Sequence, residues 1–170
     1  MLDTSAINRL AERPEDLMLV TLAKERLGYM YFLNHMQDRE IAGIKSDGSF
    51  YDMGPKMQSK FRLMRDIIET LPIITIPHMA TLMHNAWILD GSCHVLEEGD
   101  AGKAFDKVLN NKIDNLEDAV IIESAIRFHC ITVSNDRDMC KNTNAVFPGK
   151  AIWYKKFIEQ IKASLNDCKP

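Results

Sequence analysis

The sequence of 170 residues has no long apolar run, and no stretch approaches the roughly 20 apolar residues that a membrane span requires. The first residues, Met1-Leu2-Asp3-Thr4-Ser5, contain no basic residue and are not followed by a long apolar segment, so we expect no secretion signal. Together these absences predict a cytoplasmic protein without a membrane partner.

Cysteine is scarce, and no C-x-x-C motif occurs. The four cysteines are Cys93, Cys130, Cys140 and Cys168. In a chain of this size we expect them to be free and mostly buried thiols rather than a disulfide framework. Two of them stand next to a histidine, but adjacent side chains rarely converge on one tetrahedral zinc ion, which argues against a structural zinc site.

A strong overall charge is also missing. The chain has 21 Lys and Arg against 24 Asp and Glu, which gives a net charge of −3. This charge excludes a protein that coats nucleic acid through an overall basic surface, but it does not exclude a local basic groove. Residues 71–118 carry 3 basic and 8 acidic side chains, whereas residues 119–170 carry 8 and 5. A basic rim around an acidic centre suits a metal-dependent enzyme acting on a polyanion; random surface variation is the alternative.

Helical and strand patterns alternate along the chain. Helix patterns start at Thr4, Pro14, Asn34 and Pro55 and cover 116–128 and 151–165, and strand patterns cover 29–33, 72–77 and 130–134. This alternation predicts an α/β fold with a mainly parallel sheet. Residues 78–112 are helical in pattern but interrupted by glycines. No internal repeat is present, so we expect a single domain spanning 1–170.

Acidic residues stand where strands end or on the helices next to them. Open parallel sheets place their sites at the carboxyl ends of strands. Asp3 follows the first apolar residues, Asp136 follows a predicted strand, and Glu40 lies on the helix after another. Asp118 lies at the start of an apolar helix, and Asp114, one helical turn earlier, is the alternative candidate for the same role. Clustered carboxylates repel each other, so a divalent cation would explain their gathering, and oxygen ligands favour Mg²⁺ or Mn²⁺.

Each acid also has a competing structural role. Asp3 could begin a helix cap, and Asp136 could cap the following turn with Asp138 as the substitute ligand. Glu40 could lie on a solvated helix face, with Glu25 as the alternative candidate. Sequence alone leaves these alternatives open.

Four short motifs follow one another in a recognisable order. They are Leu2-Asp3-Thr4-Ser5, Glu40-Ile41-Ala42-Gly43, Asp118-Ala119-Val120-Ile121-Ile122 and Thr132-Val133-Ser134-Asn135-Asp136-Arg137-Asp138. In this order and spacing the chain resembles the PIN-domain ribonucleases, the class that includes VapC-type toxins. Two departures, Ser134 for the usual threonine and Met139 for the usual aromatic residue, remove no carboxylate. The long gap before Asp118 predicts an insertion within 71–112.

The resemblance implies a PIN-like three-layer fold with a mainly parallel central sheet flanked by helices, and a Mg²⁺- or Mn²⁺-dependent endoribonuclease. It implies that the metal ligands are Asp3, Glu40, Asp118 and Asp136. Secondary ligand candidates are Asp138 and Asp114. The hydroxyl groups of Ser5 and Ser134 would form hydrogen bonds with a ligand carboxylate or with water. Candidate RNA contacts, each of which could instead be a solvated surface charge, are Arg9, Arg39, Arg137 and Lys141.

The same resemblance implies RNA as the substrate, an antitoxin protein as a partner, and a homodimer. The apolar helices predicted at 55–71 and 78–90 could form the dimer interface or could equally be core. A catalytically inactive PIN-like module that binds RNA or protein is the alternative function. A dinucleotide-binding fold is disfavoured because no G-x-G-x-x-G follows the first strand.

Overall fold

The computed structural model describes residues 1–44, 49–52, 54–76, 107–108 and 116–168. Within these ranges the helices are α1 (Thr4–Glu12), α2 (Pro14–Leu27), α3 (His35–Ile41), α4 (Pro55–Thr70), α5 (Leu116–Arg127), α6 (Arg137–Val146) and α7 (Tyr154–Asp167). The strands are β1 (Phe32–Asn34), β2 (Ile74–Ile76), β3 (Thr132–Ser134) and β4 (Ala151–Trp153). The predicted 71–112 insertion lies outside the described residues apart from 71–76 and 107–108, and so do the 78–90 helix, Asp114 and Cys93.

The strands form two parallel pairs, β1 with β2 and β3 with β4. The first three residues join the pairs through backbone hydrogen bonds. The Leu2 N–H donates to the Phe32 carbonyl at 2.8 Å, and the Asp3 N–H donates to the Val133 carbonyl at 2.9 Å. The described part of the chain is therefore a mixed α/β structure with parallel strands, as the alternating pattern predicts, and most of its described residues are helical.

Two hydrophobic clusters form the core. Leu2 and Leu33 belong to a cluster built mainly on α1, α2, α4 and α7, while Met1 and Phe32 pack with the cluster built on α5 and its neighbours. Successive residues of an extended chain point to opposite sides, so adjacent positions enter different clusters. Neighbouring residues of the linked strands therefore contribute to two different clusters.

Local signals explain where the helices next to the strands begin and end. Asn34 ends β1 and caps α3 in a capping box, in which the Gln37 side chain accepts a hydrogen bond from the Asn34 N–H at 2.7 Å. Pro14 starts α2, and Gly28 ends it with a φ of 70°, a left-handed conformation that glycine adopts without steric cost.

Several sequence predictions are wrong in detail. Residues 151–153 form β4 rather than the start of a helix, because they pair in parallel with β3; the last helix covers Tyr154–Asp167. The helix α6 was not predicted. Among the described cysteines only Cys140 is buried, while Cys130 is partly exposed and Cys168 exposed, so the expectation of mostly buried thiols also fails. No described helix is long and apolar enough to cross a membrane.

Candidate metal centre

The four acids identified in the sequence line a single cavity of about 320 Å³. They are Asp3, Glu40, Asp118 and Asp136. The other described lining residues are Thr4, Ser5, Asn8, Lys60, Phe61, Met64 and Ile121. The acids are contributed by four separate segments: the start of the chain, α3, the first turn of α5 and the turn after β3. Folding thus brings to one place side chains that lie 37, 78 and 18 positions apart in the sequence.

Asp3 is the most deeply buried of these acids, with 5% of its surface exposed. Its Oδ2 accepts hydrogen bonds from the Ser5 hydroxyl and from the Ser134 hydroxyl, the latter at 2.8 Å. Burial raises the pKa of the Asp3 carboxyl above its usual value, and the hydrogen bonds from the two serines oppose this rise. The ionised carboxylate is therefore held in place by donors but has lost much of its hydration.

The two serines also connect Asp3 to the turn that carries Asp136. The Asn135 N–H donates to the Ser5 hydroxyl oxygen at 2.9 Å, and the Asp136 N–H donates to the Ser134 hydroxyl oxygen at 3.0 Å. Ser134 is fully buried at the end of β3. The supporting role predicted for both serines is consistent with this network, which fixes one acid-bearing segment against the other.

Both aspartates in this network also cap helices. The Asp136 Oδ1 accepts from the N–H groups of Asp138 and Met139 at 2.7 and 3.0 Å, at the start of α6. Asp3 accepts from the Ser5 N–H at 3.3 Å, at the start of α1. From the sequence, helix capping and a position in the site are alternative roles for each aspartate. In the structure each aspartate both caps a helix and lines the cavity. The positive ends of two helices also favour carboxylates at this location.

Glu40 rather than Glu25 faces the cavity. The Thr4 hydroxyl donates to Glu40 Oε2 at 2.7 Å, which ties α3 to the start of α1, whereas Glu25 is exposed on α2. Asp138 is exposed on α6 and does not line the cavity. Asp118 is partly buried and lines it.

Comparisons with protein-family models, with curated proteins and with solved structures find no match.

The cationic side chains proposed to contact RNA do not line this cavity in the described part of the chain. Arg9 pairs with Glu12 at 2.8 Å, and the Arg137 guanidinium lies 4.0 Å from the centre of the Trp153 ring. Lys141 lines a separate cavity of about 840 Å³ at the end where β1, β3 and β4 begin. Arg39 is partly buried on α3 but is not among the lining residues.

Sequence reasoning missed two polar residues that do line the cavity, Asn8 and Lys60. Asn8 stands one turn after Thr4 on α1, so helical spacing from the first motif could have indicated it. Its Oδ1 is buried and accepts no hydrogen bond from the residues described. Lys60 has no such local signal, because packing between α1 and α4 brings it to the cavity.

The donor chemistry of the cavity fits a hard divalent cation. Four carboxylates and the Asn8 amide oxygen are the oxygen ligands that Mg²⁺ and Mn²⁺ favour. Within the described ranges, no three His, Cys, Asp or Glu side chains form a preassembled metal-ligating group. Mg²⁺ usually keeps several water ligands, so the carboxylates that line the cavity would hold it partly through water.

Proposed function

We propose that this protein is a metal-dependent ribonuclease of the PIN type that hydrolyses RNA phosphodiester bonds. The observation that carries the proposal is the convergence of Asp3, Glu40, Asp118 and Asp136 on one cavity. These are the four residues that the family resemblance assigns as metal ligands, and they come from distant parts of the sequence.

The electrostatics of the cavity favour a bound cation. The Asp3 carboxyl is buried, and its raised pKa reflects the cost of holding a charge away from water. A divalent cation would offset this cost. Asp3, Glu40, Asp118 and Asp136 would hold it, and hydroxyl groups already orient two of the four: Ser5 and Ser134 bind Asp3, and Thr4 binds Glu40.

The metal and the side chains would have different roles in this reaction. Mg²⁺ or Mn²⁺ held by these acids would lower the pKa of a bound water molecule and offset negative charge on the phosphate. The residues of the chain fix the direction of the carboxylates: β3 and α1 hold Asp3, and the helix cap holds Asp136. Such preorganised groups need little rearrangement when charge develops in the transition state.

A PIN-like three-layer fold is part of the same proposal. Residues 1–3 hydrogen bond to β1 on one side and to β3 on the other, which gives the strand order β2, β1, residues 1–3, β3, β4. Neighbouring residues of these strands contribute to two different clusters. An antitoxin partner and a homodimer stay predictions from the family resemblance.

RNA cleavage by matched variants tests the function. We expect the wild-type chain to cleave RNA with Mn²⁺ or Mg²⁺ and to lose this activity in EDTA. Asp118→Asn should reduce cleavage by at least about a hundredfold, because it removes a charge that would hold the metal. Asp138→Asn is the control: it neutralises an exposed acid that does not line the cavity and should leave cleavage unchanged.

Calorimetric titration with Mn²⁺ separates the nuclease from an inactive binding module. We expect wild-type protein to bind Mn²⁺ and Asp118→Asn to bind it more weakly. Wild-type protein that binds neither Mn²⁺ nor Mg²⁺ and cleaves no RNA would contradict the proposal and leave the inactive module as the explanation.

A further inference from the structure

We infer that one wall of the acid-lined cavity, formed by Lys60 and Phe61 of α4, binds the nucleotide next to the scissile bond of a single-stranded RNA. This inference rests on the proposed ribonuclease function and assigns substrate-binding roles to two residues outside the acidic motifs. Both residues line the same cavity as the four acids.

The need for a cation follows from the charge of the cavity. Four ionised carboxylates carry a formal charge of −4, and one divalent cation leaves −2. A polyanion approaching this site is repelled unless further positive charge lies nearby. Lys60 is the cationic side chain among the described lining residues. The four cations that the sequence suggests as RNA contacts are not among these lining residues.

Lys60 is available for such a contact. It is exposed on α4, and within the described ranges no hydrogen bond or ion pair joins it to another residue. Because it forms no ion pair within the described ranges, its ammonium group is available to a ligand in the cavity. A Lys ammonium carries three donors on a flexible stem and commonly binds phosphate as a point charge.

Phe61 supplies an apolar surface directly beside this charge. Its ring is only partly buried and stacks on the ring of Tyr51, with 6.4 Å between the ring centres and 24° between the planes. Met64, one helical turn after Lys60, continues the apolar wall to the floor of the cavity. An aromatic surface and a cation in the same cavity as the four acids suit a base and a phosphate of an RNA strand.

This combination favours single-stranded RNA over a duplex. Proteins that bind single strands stack bases on aromatic side chains and follow the phosphates with cations, whereas the bases of a duplex are already stacked on each other. The aromatic wall can therefore be used only by a base that is free to leave its neighbours.

The test measures RNA binding apart from cleavage. In the full-length Asp118→Asn background with Mg²⁺ present, fluorescence anisotropy of a labelled oligouridylate gives Kd at several salt concentrations. We expect Lys60→Gln to reduce the slope of log Kd against log salt by about 0.7, the value for one phosphate contact with a single strand. Lys60→Arg should keep the wild-type slope. Arg62→Gln makes the same change of charge on α4, at a residue outside the lining, and should also keep it.

The aromatic contact has a separate readout. Phe61→Leu should weaken binding by roughly tenfold while leaving the salt slope unchanged, because it removes stacking but no charge. A wild-type slope in Lys60→Gln, or equal affinity for duplex and single-stranded RNA, would overturn the inference. If the chain with intact acids still cleaves RNA in that case, the proposed function stands and only the role of this wall is refuted. Absence of both cleavage and RNA binding would refute both.

Discussion

The side chain of Asp136 both caps a helix and lines the cavity, and these two functions can be separated by substitution. Asparagine caps helices about as well as aspartate, so Asp136→Asn should keep the free energy of unfolding within about 0.5 kcal/mol of wild type while weakening Mn²⁺ binding. Asp136→Ala should lose about 1 kcal/mol as well, because the N–H groups of Asp138 and Met139 lose their acceptor.

Urea unfolding in EDTA and Mn²⁺ titration check the two effects independently. A purely structural aspartate would give a different pattern, in which Asp136→Asn binds Mn²⁺ as tightly as wild type.

Asp3 illustrates a conflict between stability and function at a single carboxyl. Its pKa is raised in the folded protein because burial disfavours the charge. Its contribution to stability is therefore fully present below the unfolded-state pKa of about 3.9 and is lost as pH rises through the folded-state pKa. At neutral pH in EDTA we expect Asp3→Asn to unfold at a higher temperature than wild type, with the difference shrinking as pH falls toward 4.

Differential scanning calorimetry across this pH range measures the difference. Asparagine keeps an oxygen that can accept hydrogen bonds from Ser5 and Ser134, so the comparison isolates the charge. A lower unfolding temperature for Asp3→Asn at pH 7 would show that the hydrogen bonds outweigh the burial.

At the scale of elements, α3 connects the sheet to the site. Asn34 ends β1, caps α3, and donates from its Nδ2 to the buried Ser124 hydroxyl of α5 at 2.6 Å. Gln37, in the first turn of α3, donates to the Leu2 carbonyl at 2.7 Å. The helix that carries Glu40 is thus fixed both to α5 and to the start of the chain, so its position depends on buried polar contacts rather than on its length.

Asn34→Ala should therefore destabilise the protein by about 2 kcal/mol, since it removes a helix cap and leaves buried polar groups without partners. It should also reduce RNA cleavage, although Asn34 is not in the cavity, because Glu40 is then held less precisely. As a control, Ser59→Ala removes an exposed hydrogen bond on α4 and should change stability by less than about 0.5 kcal/mol. Urea unfolding and cleavage rates measure the two effects, and an unaltered Asn34→Ala protein would contradict this account of α3.

At the scale of the whole molecule, the site divides into parts that local sequence marks and parts that only packing creates. Asp3, Glu40, Asp118 and Asp136 each lie beside a short apolar or capping pattern, so the sequence could indicate them. Lys60 and Phe61 could not be found in this way, because α4 meets α1 through contacts between residues more than 40 positions apart. The strand β4 was missed for a related reason: three residues have no readable period, and pairing with β3 defines them.

Binding of a cation at a site assembled from four segments should stabilise the fold as a whole. A ligand that binds only the folded state adds RT ln(1 + [L]/Kd), about 1.4 kcal/mol at a concentration ten times Kd, which raises Tm by roughly 3–6 °C in a chain of this size. We expect Mn²⁺ to produce this shift in wild-type protein and a much smaller one in Asp3→Asn. Asp138→Asn should shift as wild type does. Because the acids come from the start of the chain, α3, α5 and the turn after β3, an equal Mn²⁺ shift in Asp3→Asn would mean that the metal binds elsewhere on the protein.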